Sequence, residues 1–237
     1  MIVNKFETVD SIVTKNLEAA KIFSAYGIEF CSGQKRTLEN ACIEQNVSVT
    51  SLLEELSELK AESGALPDFS SISIDALAVY VESIHHRYTD KKVVFIRHSI
   101  ERLLRQHPNH EDQLMRLKNA FENLAIHLRI HMRQEEFLIF PYIKSMVKKR
   151  SAVSRIFRSI QEPLSAMHGD HDHEIQTFRL LNASMINKPQ KDFYGYKVTY
   201  SAIKELEMDL KIHMHLENNV LFPRAIDFEK RLKSNLN

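Results

Sequence analysis

Turn-forming residues are scarce in this chain. Its 237 residues include 5 Gly and 6 Pro, each roughly 2% where averages run near 7% and 5%. That scarcity excludes a collagen-like chain and argues against a many-stranded β fold or Gly-rich phosphate loops; it favours long helices. No sign of charge dominates either: 32 Lys+Arg face 31 Asp+Glu, a formal +1. A general electrostatic attraction to nucleic acid or an anionic membrane is therefore not expected. The longest clean apolar stretch, Ala76 to Val81, falls far short of the ~20 residues of a membrane span. Residues 1–10 carry both charges and no apolar run, so no secretory signal is expected. Two cysteines exclude a disulfide framework and make the cytoplasm the expected compartment. Histidine, by contrast, is plentiful: there are 12, and none precedes His85.

The helical spacing of apolar residues divides the chain into an N-terminal helical domain (1–62), a linker (63–73) and a four-helix bundle (74–237). In the first domain Asn16 to Tyr26 reads as a helix closed by Gly27. Thr37 caps a helix to about Gln45, and Ser48 or Ser51 opens another to about Glu62. The linker holds Gly64, Pro67 and four Ser. Four longer patterns follow near 73–106, 110–147, 162–186 and 197–232, with breaks at Pro108-Asn109, Lys149 to Ser154 and Asn187 to Gly195. Connections this short make neighbours antiparallel, so the fold class is all-α, an up-down bundle behind a small helical domain.

Within the bundle one segment occurs twice. His131-Met-Arg-Gln-Glu135 and His213-Met-His-Leu-Glu217 each run on to a Phe-Pro pair, giving His-Met-x-x-Glu-x-x-x-x-Phe-Pro at an offset of 82. A bare His-x-x-x-Glu is weak, since chance alone yields about one in such a chain; the repeated flank is what carries information. Residues i and i+4 share a helix face, so each pair can reach one ion. Pro141 and Pro223 are expected to kink or end their helices just beyond the ligands. Residues equidistant from a turn lie level in an antiparallel pair. The midpoints of 86 and 131, of 131 and 171, and of 171 and 213 are 108.5, 151 and 192, each inside a break. His86, His131, His171 and His213 should thus form one layer with Glu135 and Glu217.

Four imidazoles and two bridging carboxylates supply eight donor atoms, four for each of two metals. A bridging oxo or hydroxo adds a fifth and leaves one open place on each octahedral ion. Mixed imidazole and carboxylate ligation suits iron or manganese rather than a thiolate zinc site. Two Fe(II) with two Glu carry +2, and two Fe(III) with two Glu and an oxide also carry +2, so redox cycling changes the buried charge little. The unremarkable alternative is that these are hydrogen-bonded core histidines with solvated helix carboxylates. His85 competes with His86, being one residue away and completing Glu82-x-x-His85, a spacing used in ferritin-like bundles. His127 and Asp170 are candidates to orient ligands or move protons. His173 and His215 are expected to face solvent, His98, His107, His110 and His168 to lie on the surface, and Met132, Met214 and Cys42 to fill core. Cys31 precedes a helix and lies near Lys35 and Arg36, surroundings expected to lower a thiol pKa; it reads either as a redox or iron-transfer contact or as a packed free thiol.

With these residues in place the chain resembles the iron–sulfur cluster repair di-iron proteins (repair of iron centres, or ScdA type), which join a small N-terminal domain to a hemerythrin-like bundle. The resemblance covers nearly the whole sequence and is most specific at His213 to Ala225. His131 to Pro141, Met167-x-x-Asp170-His171-Asp172 and Tyr26-Gly-Ile-Glu-Phe-Cys31 support it. It places the family's six iron ligands on His86, His131, Glu135, His171, His213 and Glu217. The family's Cys-Cys-Gly-Gly run reads Cys31-Ser32-Gly33-Gln34 here, with one thiol fewer. The resemblance implies two iron ions per chain with a bridging oxo or hydroxo, and repair of clusters damaged by nitric oxide or oxidants. It implies damaged iron–sulfur proteins as partners and leaves room for a homodimer. Alternatives are reduction of nitric oxide or peroxide at the iron pair, and a module sensing oxygen or nitric oxide.

Overall fold

The computed structural model describes residues 3–59, 69–152, 154, 156–186 and 194–234. It is helical throughout, with no strand among the described residues. Most of the expected linker and much of the last inter-helix break lie outside them.

The N-terminal domain has four short helices, Val9–Lys15, Ala19–Ala25, Leu38–Gln45 and Val49–Glu58. The first was not expected: seven residues are too few to establish a 3.6-residue period. The helix expected from Asn16 begins at Ala19. Gly27 takes φ 69° after it, a left-handed position that glycine adopts without a Cβ clash. Thr37 caps the third helix by accepting from the Asn40 N–H, and Ser48, not Ser51, caps the fourth. Ile12, Phe23, Leu38, Leu52 and Leu56 are fully buried at the centre.

The bundle has four rods: residues 74–106, 111–149, 161–186 and 194–234. The first packs against the second and fourth, and the third against the second and fourth, the ring order of an up-down bundle. Three rods are not α-helical throughout. π-turns interrupt them at Val81–His86, Glu135–Ile139 and Glu217–Leu221. The Phe140 N–H donates to Glu135 O and the Phe222 N–H to Glu217 O, five residues back. These turns correct the expectation for Pro141 and Pro223. A proline ring crowds the carbonyl four residues before it and supplies no N–H; widening the preceding turn relieves both problems, and each helix continues.

Apolar side chains form two clusters. One, around Ile96, Phe121 and Leu206, runs unbroken into the N-terminal core of Ile12 and Phe23. The other, around Leu77, Phe140, Ile160 and Phe222, fills the opposite end. A satisfied carboxylate holds that second end together. Buried Glu229 accepts hydrogen bonds from the Tyr142 hydroxyl (2.8 Å), the Ser159 hydroxyl (2.7 Å) and the Ile160 N–H (3.0 Å). Burial raises its pKa, but the bonds from Ser159 and Tyr142 prevail and hold it below the ordinary 4.5. Glu229→Ala strands buried donors at roughly 1–3 kcal/mol each, so a loss of about 3 kcal/mol is expected in urea melts at pH 7. Because the folded-state pKa is depressed, that stabilisation is present above the ordinary carboxylate value and lost as pH falls through the folded one. The gap between wild type and variant should therefore narrow when the melts are repeated near pH 4.

Candidate metal centre

Between the two apolar clusters lies a polar layer to which all four rods contribute. His86 ends the first π-turn, His131 stands four residues before the second and His213 four before the third, while Glu135 and Glu217 open theirs. His171 comes from the unbroken third rod. All six side chains are buried, none above 3% exposed. Their donor atoms gather into two quartets within 4.8 Å: His86, Glu135, His213 and Glu217 in one, His131, Glu135, His171 and Glu217 in the other. Both carboxylates belong to both quartets.

The contacts follow the same plan. Glu135 Oε2 lies 3.3 Å from His86 Nε2, and its Oε1 3.2 Å from His131 Nε2. Glu217 Oε1 lies 2.9 Å from His213 Nε2, and its Oε2 3.3 Å from His171 Nε2. Every histidine presents Nε2 to the centre. Among the described residues both oxygens of Glu135 and Glu217, and Nε2 of His86 and His213, are buried with no aligned hydrogen bond. Buried polar atoms are nearly always satisfied, and orphaned imidazole and carboxylate donors converging on two points are what a pair of cations requires. The residues fit such a pair.

Electrostatics sharpen the picture. Burial raises Glu135 and Glu217, and each also feels the other's charge or hydrogen bonding, yet the surrounding imidazoles hold both carboxylates below their ordinary range. Burial lowers His131, but Glu135 and Glu174 lift it to about 10. Burial, reinforced by His86, pushes His213 well down.

His86, rather than His85, faces Glu135. His85 is buried one step round the helix, with Nδ1 3.0 Å from Asp209 Oδ1, outside both quartets. Partners behind the ring fix the orientation of two of the histidines. His86 Nδ1 lies 3.1 Å from Glu136 Oε1, and His171 Nδ1 3.1 Å from Asn218 Oδ1. Since those oxygens only accept, each Nδ1 carries the proton and Nε2 keeps its lone pair for the centre. Asp170 stands 3.9 Å from His131 Nδ1 with its side chain half exposed. His127 is exposed, its ring 4.9 Å from that of His173, which faces solvent as expected. His98 is exposed and His107 and His110 are half-buried; the side chain of His168 lies outside the described residues. Met132, Met214 and Cys42 are buried.

Two expectations need correction. His215 does not face solvent; it is fully buried against the N-terminal domain, Nδ1 3.1 Å from Phe30 O and Nε2 3.0 Å from Thr14 Oγ1. Burial pushes its pKa down to about 4 and keeps it neutral. Nor is Cys31 activated. Its buried thiol lies 2.9 Å from Glu29 Oε1, and burial followed by the Glu29 charge raises its pKa well above the ordinary 9.0. Lys35 is exposed and Arg36 pairs with Glu44. One carboxylate escaped notice in the sequence. Glu174 is 2% exposed, 3.8 Å from His131 Nδ1, and its pKa is raised by burial. The signal was there: position 174 is on the core stripe of Met167, His171, Ile175 and Phe178, all buried.

Residues 85–225 match the model of the hemerythrin HHE cation-binding domain, well over half of the chain. The chain belongs to the hemerythrin HHE cation-binding family. Residues 5–60 match ScdA_N, a domain of unknown function. The same two-part span is similar to the iron-sulfur cluster repair protein YtfE of Pectobacterium carotovorum, 27% identical over 214 residues covering 88% of this chain and 91% of that protein. YtfE of Enterobacter sp. is 29% identical over 213 residues, again 88% of this chain and 91% of that protein. A probable iron-sulfur cluster repair protein of Haemophilus influenzae is 26% identical over 216 residues, 88% of this chain and 92% of that one. The matched region is helical, and no helix of the described residues is long and apolar enough to cross a membrane.

Proposed function

We propose that this chain is a di-iron protein that restores damaged iron–sulfur clusters in the cytoplasm. The observation that carries the reading is the sharing of Glu135 and Glu217 by both quartets: each carboxylate puts one oxygen beside a histidine of either quartet, an arrangement that a pair of cations would use and a single cation would not. Similarity over 88% of the chain to proteins named for cluster repair supports the role. The iron pair, with its bridging oxo or hydroxo, would supply redox capacity and releasable metal. His86 and His213 would hold one position, His131 and His171 the other. Glu136 and Asn218 keep two of the imidazoles turned inward, and apolar clusters flank the layer above and below. Damaged iron–sulfur proteins, including those attacked by nitric oxide, are the partners.

The test is an iron–sulfur protein bleached by nitric oxide, incubated with iron-loaded chain. Its visible absorbance should return as iron leaves the chain, with no steady N₂O formation. Recovery that is equal with metal-free chain would defeat the proposal, and sustained N₂O production would make the centre a nitric oxide reductase instead. Because the Cys31 thiol is buried and held protonated, Cys31→Ser should keep iron content and repair within about twofold of wild type. A loss of repair with iron retained would restore the thiol to the mechanism.

A further inference from the structure

The two halves of the centre are built on the same repeat, and one of the places where they differ is the residue after each shared carboxylate. Glu136 follows Glu135 and Asn218 follows Glu217, and each reaches Nδ1 of a histidine on a neighbouring rod, His86 and His171 respectively. The far end of Glu136 accepts from Arg133 on its own helix, 2.8 Å away. The far end of Asn218 leaves the bundle altogether: Nδ2 donates to the backbone carbonyl of Cys31, 2.8 Å away in the N-terminal domain. A glutamate there could not do this, having no hydrogen to give.

We propose that the N-terminal domain, acting through Asn218, sets the tautomer and orientation of His171, so that the cation position served by His131 and His171 is coupled to the docking of that domain. The inference rests on the reading of these residues as iron ligands. The chain of hydrogen bonds has only one polarity. A carbonyl only accepts, so the Asn218 amide must turn Nδ2 to Cys31 and Oδ1 to His171. Oδ1 only accepts, so His171 Nδ1 carries the proton and Nε2 is left bare. Its neighbours at the centre are Glu217 Oε2 at 3.3 Å and His131 Nε2 at 3.2 Å. A backbone atom 140 residues away in sequence thus decides which nitrogen of a ligand is free.

The same helix face supplies the rest of the anchorage. His215 binds Phe30 O and Thr14 Oγ1, and Asn219 Nδ2 donates to Phe30 O at 3.3 Å. Residues 213 and 217 of that rod therefore serve the centre, while 215, 218 and 219 hold the N-terminal domain. Beyond Cys31 the chain turns back at Gly33, φ 75°, and Ser32, Gly33 and Gln34 line a cleft of about 270 Å³ together with His171, Asp172 and Asn218. No equivalent link reaches His86 or His213 among the described residues. The iron held by His131 and His171 is the one whose affinity falls when the N-terminal domain lets go. Asn218 is a positioning residue, and the N-terminal domain has a defined task at the centre.

Linkage is reciprocal, which gives a direct test on the full chain. Amide hydrogen exchange is followed by mass spectrometry with and without ferrous ion, for wild type, Asn218→Ala and Asn218→Asp. In wild type, iron should slow exchange across residues 29–34 by about tenfold or more. Asn218→Ala should lose that slowing and bind the second iron equivalent about 10–100-fold more weakly, the usual cost of removing a ligand's hydrogen-bond partner. Asn218→Asp keeps an acceptor for His171 but offers the Cys31 carbonyl no hydrogen. It should keep its iron capacity yet lose the slowing. Histidine ¹⁵N spectra of the metal-free protein should show protonated Nδ1 at His171 in wild type and a tautomer mixture in Asn218→Ala. Wild type that binds two irons with unchanged exchange at 29–34 overturns the coupling and spares the centre; wild type that binds no iron overturns both. Neither result depends on a variant folding.

Discussion

Replacing Glu135 with alanine should empty both cation positions together, whereas replacing His86 should empty only one. Glu135 places Oε2 near His86 and Oε1 near His131, so its loss removes an anionic ligand from each quartet and the bridge between them. Iron content measured after gel filtration should fall from about two per chain, the number that a carboxylate-bridged bundle site holds, to below one. The oxo-to-iron charge-transfer band should vanish with it. His86→Ala deletes a neutral ligand from one quartet and leaves His131, Glu135, His171 and Glu217 in place; about one iron per chain should remain, without the band. A Glu135→Ala protein that kept two irons and an unaltered spectrum would remove the case for a shared carboxylate. A zinc ion in wild type, one per chain, would do so sooner.

Chelation should cost the protein more thermal stability than any single surface change. Without cations the layer confines Glu135, Glu217 and Glu174 beside four imidazoles, all at 3% exposure or less, and several donor atoms have no hydrogen-bond partner among the described residues. A cation present at a thousandfold excess over its dissociation constant stabilises the folded state by about 4 kcal/mol, and each kcal/mol moves the melting temperature of a chain this size by about 2–4 °C. Calorimetry of iron-loaded and chelator-stripped protein should therefore differ by about 10 °C, and ferrous ion should restore the difference. Equal melting temperatures would mean that the layer gains nothing from metal.

The large elements were legible because they rest on local pattern. Four rods, their ends within about three residues, and the caps at Thr37 and Ser48 follow from apolar spacing and terminal chemistry. The common layer of the four histidines follows from antiparallel geometry alone. What escaped depended on contacts between parts distant in sequence. Nothing in the bundle pattern indicates that Phe30 and Thr14 cover His215. The groups that matter to Cys31 in space are Glu29 and the apolar surround, not its sequence neighbours Lys35 and Arg36. Glu174 is one charged residue among many on its helix, and only its place on the apolar stripe of Met167, His171 and Phe178 marks it. The π-turns were invisible to a 3.6-residue template, which registers a proline after Phe140 or Phe222 as an ending.

Those wide turns also place a constraint on chain length. Each adds one residue to a helix without adding a turn, so everything downstream is rotated by about 100° relative to an uninterrupted α-helix. In the last rod this rotation brings Ala225 and Glu229 to the interior and leaves Pro223 and Asp227 outside. Deleting any one residue between Glu217 and Leu221 would keep His213 where it is but swing Glu229 away from Tyr142 and carry Phe222 off its apolar seat. The segment admits no shortening, and its residue count is as much a specification of this protein as the identity of its ligands.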